Sequence, residues 1–277
     1  MVTDTRGLDD YGINQGTWAG LTEAEENGIV DQIAYIESVD PRDYAKNISF
    51  FVNAGFDVIV TSGIGLYDAT LRNADLYPDT VFVGMNQIDD ESVSNFISVM
   101  FPEDQMGFVA GLLAARLTRT NIIGGVCETS GIDSMWRYCE GFRAGANHGS
   151  DSVRVIVVYR DNGGSESLFN DADWGAETAQ ELIKQGADVI FAAGGETGAG
   201  ALRAAAEADI PAIGAERDQN AALAEKGSSV VASILGRASY TVQELMRRVR
   251  DGNLADAETS PIEFVVMDSV IPQSVVA

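Results

Sequence analysis

Asp4, Asn86, Glu216 and Asp218 each stand just past a short apolar run in this 277-residue chain. Carboxylates and amides in such places accept hydrogen bonds from the hydroxyls of an uncharged polar ligand. Two glycine-rich segments accompany them, Thr61-Ser-Gly-Ile-Gly65 and Ala192-Ala-Gly-Gly-Glu-Thr-Gly198. Each precedes a helical pattern, so Gly63, Gly194 and Gly195 mark helix starts whose free amides can donate to a ligand. Trp18, Phe169, Trp174 and Phe191 lie near these turns, where a ring can stack on a base or sugar face, although a ring at helical spacing is more often core. Taken one at a time, each acid also reads as a solvated loop residue and each glycine as a tight turn.

Other chemistries lack their residues. The single histidine, His148, sits in Ala-Asn-His-Gly at a helix end, where it caps or complements the dipole. No Gly-x-Ser-x-Gly elbow is present, so a hydrolytic triad is excluded and an enzyme is not expected. The glycine-rich segment lacks dinucleotide-loop spacing and no Walker lysine follows it. No calcium-loop or zinc spacing occurs, so neither metal nor cofactor is expected. A net charge of −24 argues against nucleic acid as a partner. Lysine occurs only at 46, 184 and 226, an acidic surface that fits either a saline habitat or high solubility. Cys127 and Cys139, twelve apart, form a disulfide if the intervening helix folds back, and are otherwise two buried thiols. No run of about 18 apolar residues exists to span a membrane. The start shows no signal pattern, so any signal or lipid-attachment segment is expected to have been removed ahead of Val2.

The elements that position these residues follow from an internal repeat. Asn53-Ala-Gly-Phe-Asp-Val-Ile-Val60 recurs as Lys184-Gln-Gly-Ala-Asp-Val-Ile-Phe191, with Gly55 matching Gly186 and Gly84 matching Gly214. Each copy continues through a glycine-rich turn, a helical run and an apolar run that ends at Asn86 or Glu216. Val- and Ile-rich runs alternating with helical patterns predict βαβ units. The expected fold is therefore α/β, with two similar doubly wound parallel-sheet lobes, a hinge, and a ligand cleft at the carboxyl ends of the strands.

In the first lobe the pattern predicts strands at Val2–Thr3, 33–37, 57–61, 81–85 and 97–100, with helices over 15–26, 42–54 and 66–74. The helix over 105–117 is apolar on nearly every face and is expected to pack between a sheet and the neighbouring lobe. The second lobe has predicted strands at 122–126, 153–159, 210–215, 230–234 and 262–267, with the repeat copy ending its apolar run at Phe191, and helices over 135–146, 174–185 and 238–251, with a helical run from the glycine-rich turn at 192–198 to Ala208. The expected lobes are 1–103 with about 236–262, and 104–235 with about 263–277.

At Val2-Thr-Asp-Thr-Arg-Gly-Leu-Asp-Asp-Tyr-Gly-Ile-Asn-Gln15 the chain resembles the opening of the basic membrane lipoprotein family, also called Bmp or PnrA-like. The likeness continues through Gly186 to Phe191, Ala193 to Gly198, and Ile213-Gly-Ala-Glu-Arg-Asp-Gln219. It implies a type I periplasmic-binding-protein fold and an extracytoplasmic solute receptor, periplasmic or lipid-anchored at the cell surface. The implied partners are an ABC permease and a nucleoside-like small molecule, with the protein a monomer. It also implies that acids hold a ribose and aromatic rings a purine. Asp4 matches the acid of the opening motif and Asn14 the asparagine that follows, Asn86 sits where relatives often carry Asp, and Glu216 replaces a ribose-binding Asp. Two positions depart: Ile13 stands where the first stacking phenylalanine is expected and Ala232 about where a lysine is. Trp18 or Trp174 could cover the base instead, or the ligand could be another polyol or heterocycle. A ligand-sensing domain of the same fold is the alternative role.

Overall fold

The computed structural model describes residues 1–277 except 11, 89–92, 165–166, 224–229, 254–261 and 267–277, and gives the backbone of 262–266. Lys226, Met267 and the predicted tail of the second lobe lie outside the described residues. The chain divides into two compact units, Met1–Phe101 with Gly236–Pro261, and Pro102–Leu235 with Ile262–Ala277.

Unit 1 runs β1 (Val2–Thr3), α1 (Ile13–Glu26), β2 (Ile36–Glu37), α2 (Tyr44–Asn53), β3 (Val58–Ser62), α3 (Tyr67–Leu76), β4 (Val81–Met85) and β5 (Phe96–Val99). Unit 2 follows with α4 (Glu103–Leu117), β6 (Ile122–Cys127), α5 (Asp133–Gly149), β7 (Arg154–Tyr159), α6 (Ala172–Lys184), β8 (Ile190–Ala193), α7 (Gly195–Glu207), β9 (Ala212–Ala215), α8 (Gln219–Ala222) and β10 (Val230–Gly236). The chain then returns to unit 1 for α9 (Ala238–Arg250) and to unit 2 for β11 (Ile262–Val266).

The sheet orders are β2-β1-β3-β4-β5 and β11-β10-β9-β8-β6-β7. The pairs β1–β3 and β3–β4 in one sheet, and β6–β8 and β8–β9 in the other, are parallel. Chain order reverses between β1 and β3 and again between β6 and β8. Open parallel sheets bind ligands just beyond the carboxyl ends of strands at such switch points.

Each unit has its own core. Ile48, Phe51, Leu66 and Phe82 centre the first, and Leu182, Ile190, Ala199 and Leu202 the second. The last helix buries Val242, Leu245 and Met246 along one face. That helix approaches α1 so closely that a methyl group on Gly20 would overlap the Ser239 carbonyl. Within its own unit the apolar helix α4 packs on α5 and against β8 of the sheet. Gly107 and Gly111 face the carbonyls of Tyr138 and Phe142, and Gly141 and Gly145 face those of Asp104 and Phe108. Small residues four apart on both helices let the backbones touch.

Two shifted boundaries and one added element have local causes. The strand predicted over 33–37 shrinks to Ile36–Glu37 because β1 offers only Val2 and Thr3 to pair with. The first helix begins two residues early because the Asp10 carboxylate collects the amides of Gly12, Asn14 and Gln15. The short α8 was not expected, and Asp218 caps it by accepting from the Ala221 amide at 3.0 Å.

Candidate functional site

In unit 1 the switch point is lined by Asp4 after β1, Gly63 after β3 and Asn86 after β4. The Asp4 amide donates to Ser62 O at 3.1 Å, extending the parallel ladder past β1. Its carboxylate accepts from Arg6 Nε and Nη2 at 2.9 and 2.8 Å, and from Asn14 Nδ2 at 2.9 Å. Gly63 has φ +113 and its hydrogen points at the Asp4 carboxylate, so any side chain there would collide with it. Asn86 adopts φ 59 and its amide donates to Val99 O at 2.8 Å. The next residue, Gln87, is fully buried and donates to Thr61 Oγ1 and Gly63 O, both at 3.0 Å. Three buried polar atoms at these strand and helix ends have no hydrogen-bond partner, Asn14 Oδ1, Ser62 Oγ and Asn86 Oδ1, as does Gln87 Oε1, which faces Gly84 inside β4.

Unit 2 repeats the arrangement with different side chains. Glu128 follows β6 as Asp4 follows β1, and its amide donates to Ala193 O at 3.1 Å. Gly194, with φ +118, packs against the Glu128 Cβ as Gly63 packs against Asp4. Glu216 takes the place of Asn86, with φ 70 and its amide bonded to Ile234 O at 3.1 Å. Here the carboxylate turns back, and Glu216 Oε2 accepts from the amides of Gly194 and Gly195 at 2.8 and 2.9 Å. It thereby occupies the positive end of α7. Phe169 stands beside the same turn with φ 61, its carbonyl accepting from the Glu196 amide at 2.9 Å.

Asp4, Asn14, Gly63 and Asn86 are thus gathered at one rim, and Phe169, Gly194, Gly195 and Glu216 at the other. Four further residues singled out in the sequence have other surroundings. Trp18 sets its ring edge-on to Tyr35, centroids 4.9 Å apart, at the amino end of β2 rather than at the rim. Trp174 packs against the hydrophobic core of unit 2. Phe191 is fully buried and stacks on Phe142 at 4.6 Å. Asp218 spends its carboxylate on the α8 cap. Ala232 is buried inside β10, two residues short of Ile234, which receives the Glu216 amide. The sequence pattern does not single out Glu128, Arg160, Ser62 or Gln87, whose places at the two rims follow from strand pairing.

Two buried acids sit beside helix starts. Asp10 is raised above the ordinary carboxylate range, by burial first, against the opposing pull of Arg6 and three backbone amides. Glu103, at the first residue of α4 and only 2% exposed, is pushed by burial up to about 7. Arg137 Nη2 lies 3.3 Å from Glu103 Oε2 without hydrogen-bond geometry. Cys127 and Cys139 form a disulfide with Cα atoms 6.5 Å apart, tying the end of β6 to α5 beside Glu128. Among the described residues no group of three His, Cys, Asp or Glu could hold a metal ion, and no helix is long and apolar enough to cross a membrane.

The chain is similar to known proteins. The sequence profile of the Bmp family, described as ABC transporter substrate-binding protein PnrA-like, matches residues 1–271. The chain is 30% identical over 273 residues to the CD4+ T-cell-stimulating antigen of Listeria monocytogenes, covering 91% of this chain and 73% of that protein. It is 28% identical over 269 residues to the ABC transporter nucleoside-binding protein BmpA of Lactococcus lactis, covering 91% and 74%. Among solved structures, a transcriptional activator of the comK gene from Bacillus halodurans superposes with TM-score 0.78 at 24% identity, over 99% of this chain and 92% of that one. A solute-binding protein of an ABC transporter system from Conexibacter woesei gives 0.76 at 20%, over 99% and 91%. At these identities the superpositions show the fold alone.

Proposed function

The chain belongs to the Bmp family of PnrA-like ABC transporter substrate-binding proteins, and on that premise we propose that it captures a purine nucleoside, or a ligand of similar size and polarity, and hands it to the permease of an ABC importer. The solute-binding role, which involves no chemistry on the ligand, comes with the family. The finer reading rests on the rim of unit 1. Buried polar groups in folded proteins are paired, so Asn14 Oδ1, Ser62 Oγ and Asn86 Oδ1, at strand and helix ends of one unit and without partners, favour a ligand rich in hydroxyl or N–H donors. At the unit 1 rim Asp4 supplies a carboxylate that suits a ribose hydroxyl, and at the unit 2 rim Phe169 supplies a ring beside a helix start, of the kind a base-bearing ligand uses. The lactococcal relative's name supports the nucleoside class.

Ile13 at the position expected for a stacking phenylalanine favours a second reading, a sugar or heterocycle without a nucleoside base. The disulfide fits an extracytoplasmic, oxidising location, where the protein acts as a monomer. Guanosine, inosine, adenosine, D-ribose and L-arabinose, each tested by thermal shift, separate the two readings. A nucleoside at about 100 times its Kd stabilises the folded protein by about 2.7 kcal/mol and raises Tm accordingly. A shift with a sugar and none with any nucleoside overturns the purine assignment.

A further inference from the structure

We propose that Glu128 and Arg160 are the positioning residues of the unit 2 rim, a buried pair that touches no ligand but builds the seat of Phe169. The proposal rests on the reading that Phe169 covers the ligand. The two side chains arise from adjacent strands: Cys127 pairs with Tyr159 in the β6–β7 ladder, and the Arg160 amide then donates to Cys127 O at 3.1 Å. Glu128 is fully buried and Arg160 is 3% exposed. Arg160 Nε donates to Glu128 Oε1 at 2.8 Å.

Every remaining arm of the pair ends on the segment that carries Phe169 or on the first turn of α7. Arg160 Nη1 donates to Ser167 Oγ at 3.1 Å and to Asp171 Oδ2 at 3.3 Å, and Nη2 donates to Gly164 O at 3.4 Å. Glu128 Oε2 accepts from the Phe169 amide at 3.0 Å and from Thr197 Oγ1 at 2.7 Å. Thr197 Oγ1 in turn accepts from the Asp171 amide at 3.1 Å. Phe169 is held on both sides, its amide by Glu128 and its carbonyl by the Glu196 amide.

The backbone of Phe169 shows what this bracing achieves. A left-handed conformation is uncommon for a bulky residue and persists only where the surroundings over-determine it. Gly195 leaves no room for a side chain because the Phe169 carbonyl lies 2.7 Å from where its Cβ would be. A buried ion pair adds little net stability compared with an apolar pair of the same shape. Its distinctive product here is geometric, because planar guanidinium and carboxylate forks fix several groups of one loop at once.

The test uses the double variant E128Q/R160M, which keeps shape while removing both charges, beside F169A and the parent. In ligand-free protein, amide exchange at 167–171 and 194–197 is expected to rise by at least about tenfold in the double variant, while β6, β8 and β9 keep their protection. Unchanged exchange at 167–171 overturns the proposal, as does equal loss across all of unit 2. Should the double variant fail to fold, T197V removes one arm and is expected to speed exchange at 167–171 alone; no change there overturns the proposal equally.

Calorimetric titration with guanosine gives the second arm. The Kd is expected to rise about tenfold in E128Q/R160M and in F169A, the scale of one lost base stack, and no further in the triple variant. Additive losses overturn the proposal, since the pair would then act by a route other than Phe169. A parent that does not bind guanosine overturns the nucleoside reading and leaves the exchange result to decide the positioning role.

Discussion

At the end of β1, Arg6 meets Asp4 with 45% of its side chain still in water, whereas at the end of β6 Arg160 meets Glu128 with 2%. The two pairs stand at equivalent switch points, behind equivalent glycines, on strands continued by equivalent amide-to-carbonyl bonds. In unit 1 the carboxylate is held by its own loop, through Arg6 two residues on and Asn14 at the start of α1. In unit 2 the partner comes from the next strand and the pair reaches out to a second loop. One rim leaves acceptor atoms free and the other consumes them in building a scaffold. A duplicated architecture can thus keep its backbone plan while one copy offers polar groups and the other fixes an aromatic ring.

The largest effect that can break this comparison comes from cutting one arginine at a time. In R160M the Glu128 carboxylate is left buried and unpaired, a loss of about 3–5 kcal/mol in unfolding free energy. In R6M, Asp4 keeps Asn14 Nδ2, and Asp10, 4.0 Å from Arg6 Nη1, keeps three backbone amides, so the loss is smaller than in R160M, about 1 kcal/mol. Urea denaturation of both variants measures the difference. Equal losses would mean that the exposure of Arg6 does not reflect how its pair is solvated.

A second, somewhat smaller difference shows in pH dependence. Burial holds Glu103 at about 7 against an ordinary value of 4.5, so the folded protein retains a proton that the unfolded chain has released between those values. Stability therefore falls as pH rises from about 4.5 to 7 and levels off above, by about 3 kcal/mol for a shift of this size. E103Q is expected to flatten that slope. Asp10, the buried acid of unit 1, has the same sign of shift but three amides that favour its charged form, so D10N should remove less of the slope. A larger change in D10N than in E103Q reverses the comparison.

Much of this architecture is legible in the internal repeat. Gly55 and Gly186 both take positive φ at the turn ahead of a strand, 85 and 99, and Asn86 and Glu216 occupy matching left-handed positions at strand ends. Those features are local, and a glycine or a strand end leaves its mark within a few residues. Glu128 and Arg160 left none, because 32 residues separate them and only the β6–β7 pairing makes them neighbours. The aromatic rings were unreadable for a related reason. Trp18 and Trp174 lie on helices beside the right strands, but which way a ring turns depends on Tyr35 or on the core of unit 2, and neither is adjacent in sequence.

The smallest predicted difference isolates the two side chains at which the rims diverge. Asn86 and Glu216 both have positive φ, which glycine adopts without cost, so N86G and E216G remove a side chain without adding backbone strain. Asn86 Oδ1 has no partner in the ligand-free protein, and N86G is expected to leave unfolding free energy within about 0.5 kcal/mol of the parent. Glu216 holds the Gly194 and Gly195 amides at the start of α7, and E216G forfeits a charged helix cap worth about 1 kcal/mol. Thermal and urea unfolding resolve that gap when the two variants are run side by side. A destabilised N86G would mean that Asn86 is itself structural, and the contrast between an offering rim and a building rim would then fail at the one pair of positions where the duplicated units differ most directly.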